Sequence, residues 1–206
     1  MKRVIAFLVA ALMAITFSSC ANSAEQIENE INSVVSQGIT KGFARGTVDG
    51  NTYINEYMNI KMELPKSYYF LSDSEMKEIF GVSELYEDGA VVAYDVFARN
   101  DDGASVNIVY QLSAVSADVY LNMMVEEFSA GSMGGTLELC EKSTVKIGDS
   151  EVPCVNIEIS QEDYEGNTLT MHETIAVKEK DSWIGIITVG AIKRSDIDTV
   201  ISGIEF

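Results

Sequence analysis

The sequence predicts an α+β sandwich, a mostly antiparallel central sheet with helices packed on both faces. Three observations lead there. Runs of alternating apolar and polar residues recur through the chain, broken by short helical periods at three places. The strands come in hairpin order rather than alternating one by one with helices, which favours antiparallel pairing. Finally, Trp183-Ile184-Gly185-Ile186-Ile187-Thr188-Val189 is apolar on both faces, as a central strand must be when helices cover both sides.

Each element has its own signal. Thr52 to Asn55 reads as a strand. A second follows in which Ile60, Met62 and Leu64 alternate with Lys61 and Glu63 until Pro65 stops it. Ser72-Asp73-Ser74-Glu75 is a capping box: the serine hydroxyl covers the third amide of a helix and Glu75 reaches back to the serine N–H. Gly81 ends that helix. Tyr94, Val96 and Ala98 alternate, Asp101-Asp102-Gly103 turns the chain, and Val106, Ile108, Tyr110 and Leu112 alternate again, so a hairpin is expected.

Ser116 opens a longer helix whose Leu121, Met124, Val125 and Phe128 fall on one face. Strands are expected at 137–147, 152–160, 168–177 and 183–189. A closing helix capped by Ser195 carries Ile197, Val200 and Ile201 and ends at Gly203.

The N-terminal region differs in kind. Lys2 and Arg3 precede the apolar run Val4 to Phe17, too short to span a bilayer comfortably but suited to a secretory signal. Phe17-Ser18-Ser19-Cys20 then has the form of a lipobox, with small residues before a cysteine whose thiol accepts a diacylglyceryl group. Phe17 stands where leucine is usual, and cleavage after Ala21 with plain secretion is the competing reading. Three regions follow: a signal peptide over 1–19, a tether over 20–45 with a short helix from Ala24 to Val35, and a globular domain over 46–206. Lipidation at Cys20 would hold the domain on the outer face of the cytoplasmic membrane, two acyl chains giving stable anchoring where one is marginal.

Charge narrows the partners. The net charge is −18, and the leader contributes Lys2 and Arg3 but no acid, so the remainder sits near −20. Such a surface repels phosphate backbones and excludes ordinary nucleic-acid binding. It suits solubility outside the cell, or a protein partner with a basic face.

Candidate sites are few. Cys140 and Cys154 are a candidate disulfide in a compartment that permits one. A hairpin turning at Gly148-Asp149 sets Cys154 opposite Ser143, however, so pairing needs a slip of register and two separate thiols are the preferred state. His172 is the one histidine; it falls opposite the apolar residues of its strand and lacks a nucleophile frame, so no catalytic role is assigned. Neither a metal site nor a cofactor is expected: Asn100-Asp101-Asp102-Gly103 and the acidic turn at 162–167 lack calcium-loop spacing, and zinc ligands are too few. Tyr57, Tyr68, Tyr69 and Phe70 are a candidate recognition patch, with burial at the first strands as the alternative.

Taken together, Asn55-Glu56-Tyr57, Leu64-Pro65, the capped helix at Ser72, the Tyr120-Leu121 helix, the hairpin at Gly148 and the ending Ile204-Glu205-Phe206 resemble small Firmicutes lipoproteins with a PsbP-like α/β/α sandwich domain. The likeness covers residues 46–206 and rests on structural motifs. Ser67-Tyr68 departs from the Gly-Trp that often follows the proline in those proteins. The resemblance implies a non-enzymatic interaction or assembly module of the cell envelope and supplies no catalytic residues. A binder of a small or hydrophobic ligand, or an envelope hydrolase, remains as the alternative.

Overall fold

A computed structural model describes residues 43–87, 90–131, 135–162 and 166–206. The signal segment, Cys20, the helix expected at Ala24–Val35, the loop at 132–134 and the centre of the acidic turn at 163–165 lie outside the described residues.

The described residues form two antiparallel sheets and three helices. Strands β1 (Thr47–Asp49), β2 (Thr52–Asn55) and β3 (Ile60–Glu63) make a small meander, completed by β11 (Ile204–Glu205) against β3. The large sheet has seven strands in the order β4, β5, β6, β10, β9, β8, β7. Its members are β4 (Tyr68–Phe70), β5 (Val92–Asn100), β6 (Ser105–Leu112), β7 (Thr136–Ile147), β8 (Ser150–Glu162), β9 (Thr168–Lys180) and β10 (Trp183–Ala191). The helices are α1 (Asp73–Phe80), α2 (Ala117–Ala130) and α3 (Arg194–Ser202).

Side-chain alternation decides the layering. On one face of the large sheet Val106, Ile108, Tyr110, Trp183, Ile187 and Val189 pack against Tyr53, Ile60 and Met62 of the small sheet and Ile197 and Val200 of α3. On the other, Val155, Ile157, Ile175, Val177 and Ile184 meet Tyr120, Leu121, Met124 and Phe128 of α2. Phe97 of β5 meets Met76 of α1 beside them. Helices therefore cover both faces, and β10 is buried along nearly its whole length between β6 and β9.

The helix starts follow their caps. Ser72 N–H donates to Glu75 Oε2 at 2.8 Å while Glu75 N–H reaches Ser72 Oγ at 3.4 Å, the reciprocal pair of a capping box. Gly81 closes α1 in the left-handed region at φ 66°, where any side chain would be strained. At α2 the Ser116 hydroxyl accepts from Val119 N–H, and the Glu179 carboxylate from Ala117 N–H. The closing helix departs from expectation. It begins at Arg194 with Lys193 at the N-cap and no side-chain bond, because the chain enters it directly from the end of β10 and places Ser195 already inside.

Two further departures shape the molecule. Sequence alternation suggests one sheet, whereas β2 and β3 pair with β1 and β11 and stand apart from the large sheet. The closing step is tight: Glu63 N–H donates to Gly203 O at 2.8 Å, and a Cβ on Gly203 would lie 2.1 Å from Glu63 O. Only glycine lets α3 end there. The second departure concerns the domain start. Phe43 is 7% exposed, stacked on Trp183 at 4.5 Å and ringed by Tyr57, Tyr86 and Tyr110 at 5.5, 5.0 and 5.3 Å. Residues 43–45, assigned from sequence to the tether, thus belong to the folded unit, because an aromatic side chain there finds an aromatic cavity to fill.

Candidate functional site

The polar groups gather at a few points, the largest being a buried cluster around Asp95. Val92 to Asn100 would alternate regularly, but the pairing of β5 with β6 shifts between Tyr94 and Val96, leaving Asp95 as the extra residue of a bulge. The bulge turns its carboxylate toward the small sheet. There it accepts from Tyr53 OH, from Asn55 Nδ2 at 2.8 Å and from Gly46 N–H at 2.8 Å, with Arg45 Nε at 3.6 Å. Tyr110 OH lies 3.1 Å from Tyr53 OH and extends the chain of hydrogen bonds. Burial pushes the Asp95 carboxyl above the usual carboxylate range, against the opposing pull of these donors. Tyr53 is driven far above the ordinary tyrosine range, first by its own burial and then by the charges beside it, so it stays a donor.

Arg45 joins this cluster to the surface. Its guanidinium forms two bonds to Asp73 at 3.0 Å each and donates to the Asp95 backbone carbonyl at 2.9 Å. The bidentate contact holds the Asp73 carboxyl below its usual range. The residues entering the domain are thereby fixed to both α1 and β5. Sequence reading missed this constellation. Its one visible trace is an acid in the middle of an otherwise apolar strand.

The candidate patch of four aromatics divides. Tyr57 sits near the β9–β10 turn, its hydroxyl donating to Asp181 at 3.1 Å and its ring 5.0 Å from Lys180 Nζ. Burial, then the Asp181 hydrogen bond, raises its pKa to about 12. Tyr68, Tyr69 and Phe70 form β4 at the other end of the sheet, paired with Asn100, Arg99 and Ala98. Alternation sends Tyr68 and Phe70 into the core and leaves Tyr69 42% exposed, bonded to Arg99 Nε at 2.9 Å. The four residues therefore do not make one surface, because a strand cannot present neighbours on the same face.

Cys140 and Cys154 are both free. Cys154 pairs with Ser143 and Cys140 with Ile157 across the β7–β8 hairpin. The two thiols thus point to opposite faces of the sheet, one toward α3 and one toward α2, and the candidate disulfide does not form. Burial raises both thiol pKa values, that of Cys154 to about 11. Neither is set up as a nucleophile.

His172 faces the α3 side on β9, within a ladder of polar cross-strand pairs. Its Nδ1 lies 3.1 Å from Glu158 Oε1, Thr174 Oγ1 donates to Asn156 Oδ1 at 2.9 Å, and Arg194 reaches the same Asn156 oxygen at 3.1 Å. Ser160 and Thr170 hydroxyls meet at 3.2 Å. The His172 and Glu158 side chains are 21% and 34% exposed, so solvent screens the pair. We expect His172→Ala to cost no more than about 1 kcal/mol in denaturant unfolding; a loss of several kcal/mol would assign the ladder a structural weight this geometry does not give it.

One carboxylate stands apart. Glu173 lies on the α2 face of β9, 7% exposed, its Oε2 buried without a hydrogen-bond partner. It lies against Gly190, where a Cβ would come within 3.3 Å of its Cγ. Asn107 and Thr188, both buried, are cross-strand partners in the adjoining row. Burial raises the Glu173 pKa to about 8, so the carboxyl is mainly neutral at pH 7.

Two shallow grooves, of about 470 and 360 Å³, share Lys61 and Glu205 on the small sheet. The first lies between β3 and the C-terminal end of α3, lined by Lys61, Glu63, Thr199 and Ser202. At the Asn100 turn the side-chain oxygen accepts from Asp102 and Ala104 N–H at 3.0 and 2.9 Å. Among the described residues no group of three or more His, Cys, Asp or Glu side chains converges on a metal position.

No family model matches the chain, and no curated protein matches it. Solved structures do. A Bacteroides thetaiotaomicron protein matches at TM-score 0.42 and 15% identity over 77% of this chain and 48% of its own, so this chain spans about half its length. LpqN, involved in cell envelope biogenesis of Mycobacterium tuberculosis, matches at TM-score 0.42 and 9% identity, covering 71% of this chain and 82% of that one. The cyanobacterial PsbP (CyanoP) of Synechocystis matches at TM-score 0.43 and 13% identity, covering 80% and 98%. The fold is α+β and mostly antiparallel, with a PsbP protein among its structural neighbours.

Proposed function

We propose that this chain is a lipoprotein anchored through Cys20 on the outer face of the cytoplasmic membrane, where it acts as a non-enzymatic interaction or assembly module of the cell envelope. The observation that carries the reading is how the fold uses its polar groups. Asp95, Arg45, Tyr53 and Asn55 bind one another and join elements of the domain. Lys178 donates to Asn59 O at 3.0 Å and Lys180 to Tyr57 O, tying the β2–β3 turn to β9. Asp and Glu outnumber Lys and Arg by 32 to 14, a net charge of −18. A surface of that kind attracts a partner with a basic face and speeds its encounter.

Two measurements test the parts separately. Cys20→Ala should move the protein from the detergent phase to the aqueous phase on phase separation, since the acylated thiol is the anchor; aqueous partition of the wild type would remove the lipoprotein reading. For the partner, in-cell cross-linking of the anchored chain followed by binding kinetics should give an association rate that falls about tenfold or more between low and moderate salt, with dissociation changing less. An association rate indifferent to salt would leave the acidity as a solubility device.

A further inference from the structure

The polar groups buried between the large sheet and its helices are not all satisfied by one another. Strand register sets one row across the α2 face: Glu173 of β9 opposite Gly190 of β10, Gly190 opposite Ser105 of β6, and Ser105 opposite Arg99 of β5. Thr188 and Asn107 pair in the next row, and Ile186 and Val109 in the one after. The Glu173 carboxyl reaches across β10, since a Cβ on Gly190 would lie 3.3 Å from its Cγ and 3.4 Å from its Oε1. There Oε2 is buried without a hydrogen-bond partner. Among the described residues the Ser105, Asn107 and Thr188 side chains form no hydrogen bond either. The cation of the row is turned away: Arg99 Nε donates to Tyr69 OH at 2.9 Å, and its guanidinium stands 5.6 Å from that ring. We propose that this strip binds a primary ammonium carried on an aliphatic stem, and that its source is a lysine side chain of the basic-faced partner.

The chemistry of the strip selects that head group. Neighbouring strands lie about 4.8 Å apart and alternate residues of one strand about 7 Å, so a carboxyl, two hydroxyls and an amide share a patch of roughly 10 by 7 Å. The patch is rich in acceptors and holds no cation. An ammonium brings three donors and a positive charge on a compact head. Its charge would keep the carboxylate ionised, which burial alone opposes. A guanidinium, with its rigid planar fork, suits a lone carboxylate better than acceptors spread over three strands. Beyond the Thr188 row the strip becomes apolar. Helix α2 covers β7, β8 and β9 and α1 covers β5, which leaves Ile186 and Val109 half-buried between them. A four-carbon stem lies over that pair while its nitrogen reaches the Thr188 row. The site stands on this geometry; the assignment of its ligand to a partner lysine rests on the function proposed above.

n-Butylammonium, titrated into the full chain, probes the site without any partner. NMR signals of the Asn107 side-chain amide, the Gly190 N–H and the Ile186 methyls should shift saturably, with a Kd on the order of millimolar for so small a ligand. Tetramethylammonium has the charge without donors and 1-butanol the stem without charge, so each should bind at least about fivefold more weakly. Glu173→Gln should weaken n-butylammonium at least about tenfold and leave 1-butanol unchanged, and Thr188→Val should weaken it about threefold with the carboxyl intact. The absence of saturable shifts at these positions overturns the site, as does equal binding of n-butylammonium by Glu173→Gln. The lysine is tested on the partner captured by in-cell cross-linking, whose affinity should fall about tenfold or more with Glu173→Gln. Unchanged affinity overturns the lysine assignment and leaves the partner reading standing. Failure to capture any partner removes that reading and the lysine with it, while the titration still decides the ammonium site.

Discussion

Asp95→Ala should lower stability by about 3–5 kcal/mol, because it removes the acceptor shared by Tyr53, Asn55 and Gly46 N–H and leaves Arg45 without its buried partner. The Asp95 side chain is 0% exposed, so water does not replace it readily. For a chain of this size that corresponds to a Tm lower by roughly 6–20 °C. The expected pattern is more informative than the number. Asp95→Asn keeps an oxygen for one or two donors and should cost less, and Tyr53→Phe in the Asp95→Ala background should add little, since its hydroxyl has already lost its acceptor. Chemical unfolding of the wild type, Asp95→Ala, Asp95→Asn, Tyr53→Phe and the double variant makes the check. Additive losses from Asp95 and Tyr53 would show that the cluster does not act as a unit.

That cluster marks where sequence reading stops. The hairpins, the Ser72 and Ser116 caps, the two-sided strand at Trp183 and the opposition of Cys154 to Ser143 all follow from local rules: a period of two or 3.6, a hydroxyl before a helix, a turn at Gly148. Each is decided within about ten residues. The separation of the small sheet is not, because β11 returns to β3 from the far end of the chain and is only two residues long. Asp95 was hidden for a different reason. Strict alternation assigns it to the face of Phe97, and only the bulge between Tyr94 and Val96 turns it to the opposite face. Phe43 and Arg45 were hidden by their setting, a short stretch among Gly38, Gly42 and Gly46 that carries no periodicity. Their contacts are with Trp183, Asp73 and Asp95, residues 28 to 140 positions away.

Glu173→Gln should shift stability in the variant's favour as pH rises, by an amount that grows with pH. The unfolded chain ionises this carboxyl near 4.5, while in the folded protein burial holds the pKa up to about 8. Between those values the folded state binds a proton that the unfolded state has released, so stability falls as pH rises. The favourable contribution is fully present below about 4.5 and is lost as pH climbs through about 8. Each pH unit in that window costs about 1.4 kcal/mol, a total of roughly 3–5 kcal/mol. Glutamine has the same shape and no charge, so the variant lacks this slope. Its amide inherits the site where Glu173 Oε2 finds no partner, which costs it about 1–3 kcal/mol at every pH. The wild type is therefore expected to be the more stable at pH 4 to 5, the curves to cross, and the variant to lead by pH 8. Denaturant unfolding of both proteins from pH 4 to 9 measures the difference curve, in which the contributions of the other acids cancel. A difference independent of pH would mean that Glu173 ionises normally in the folded protein, and that its setting beside Gly190, Asn107 and Thr188 admits water.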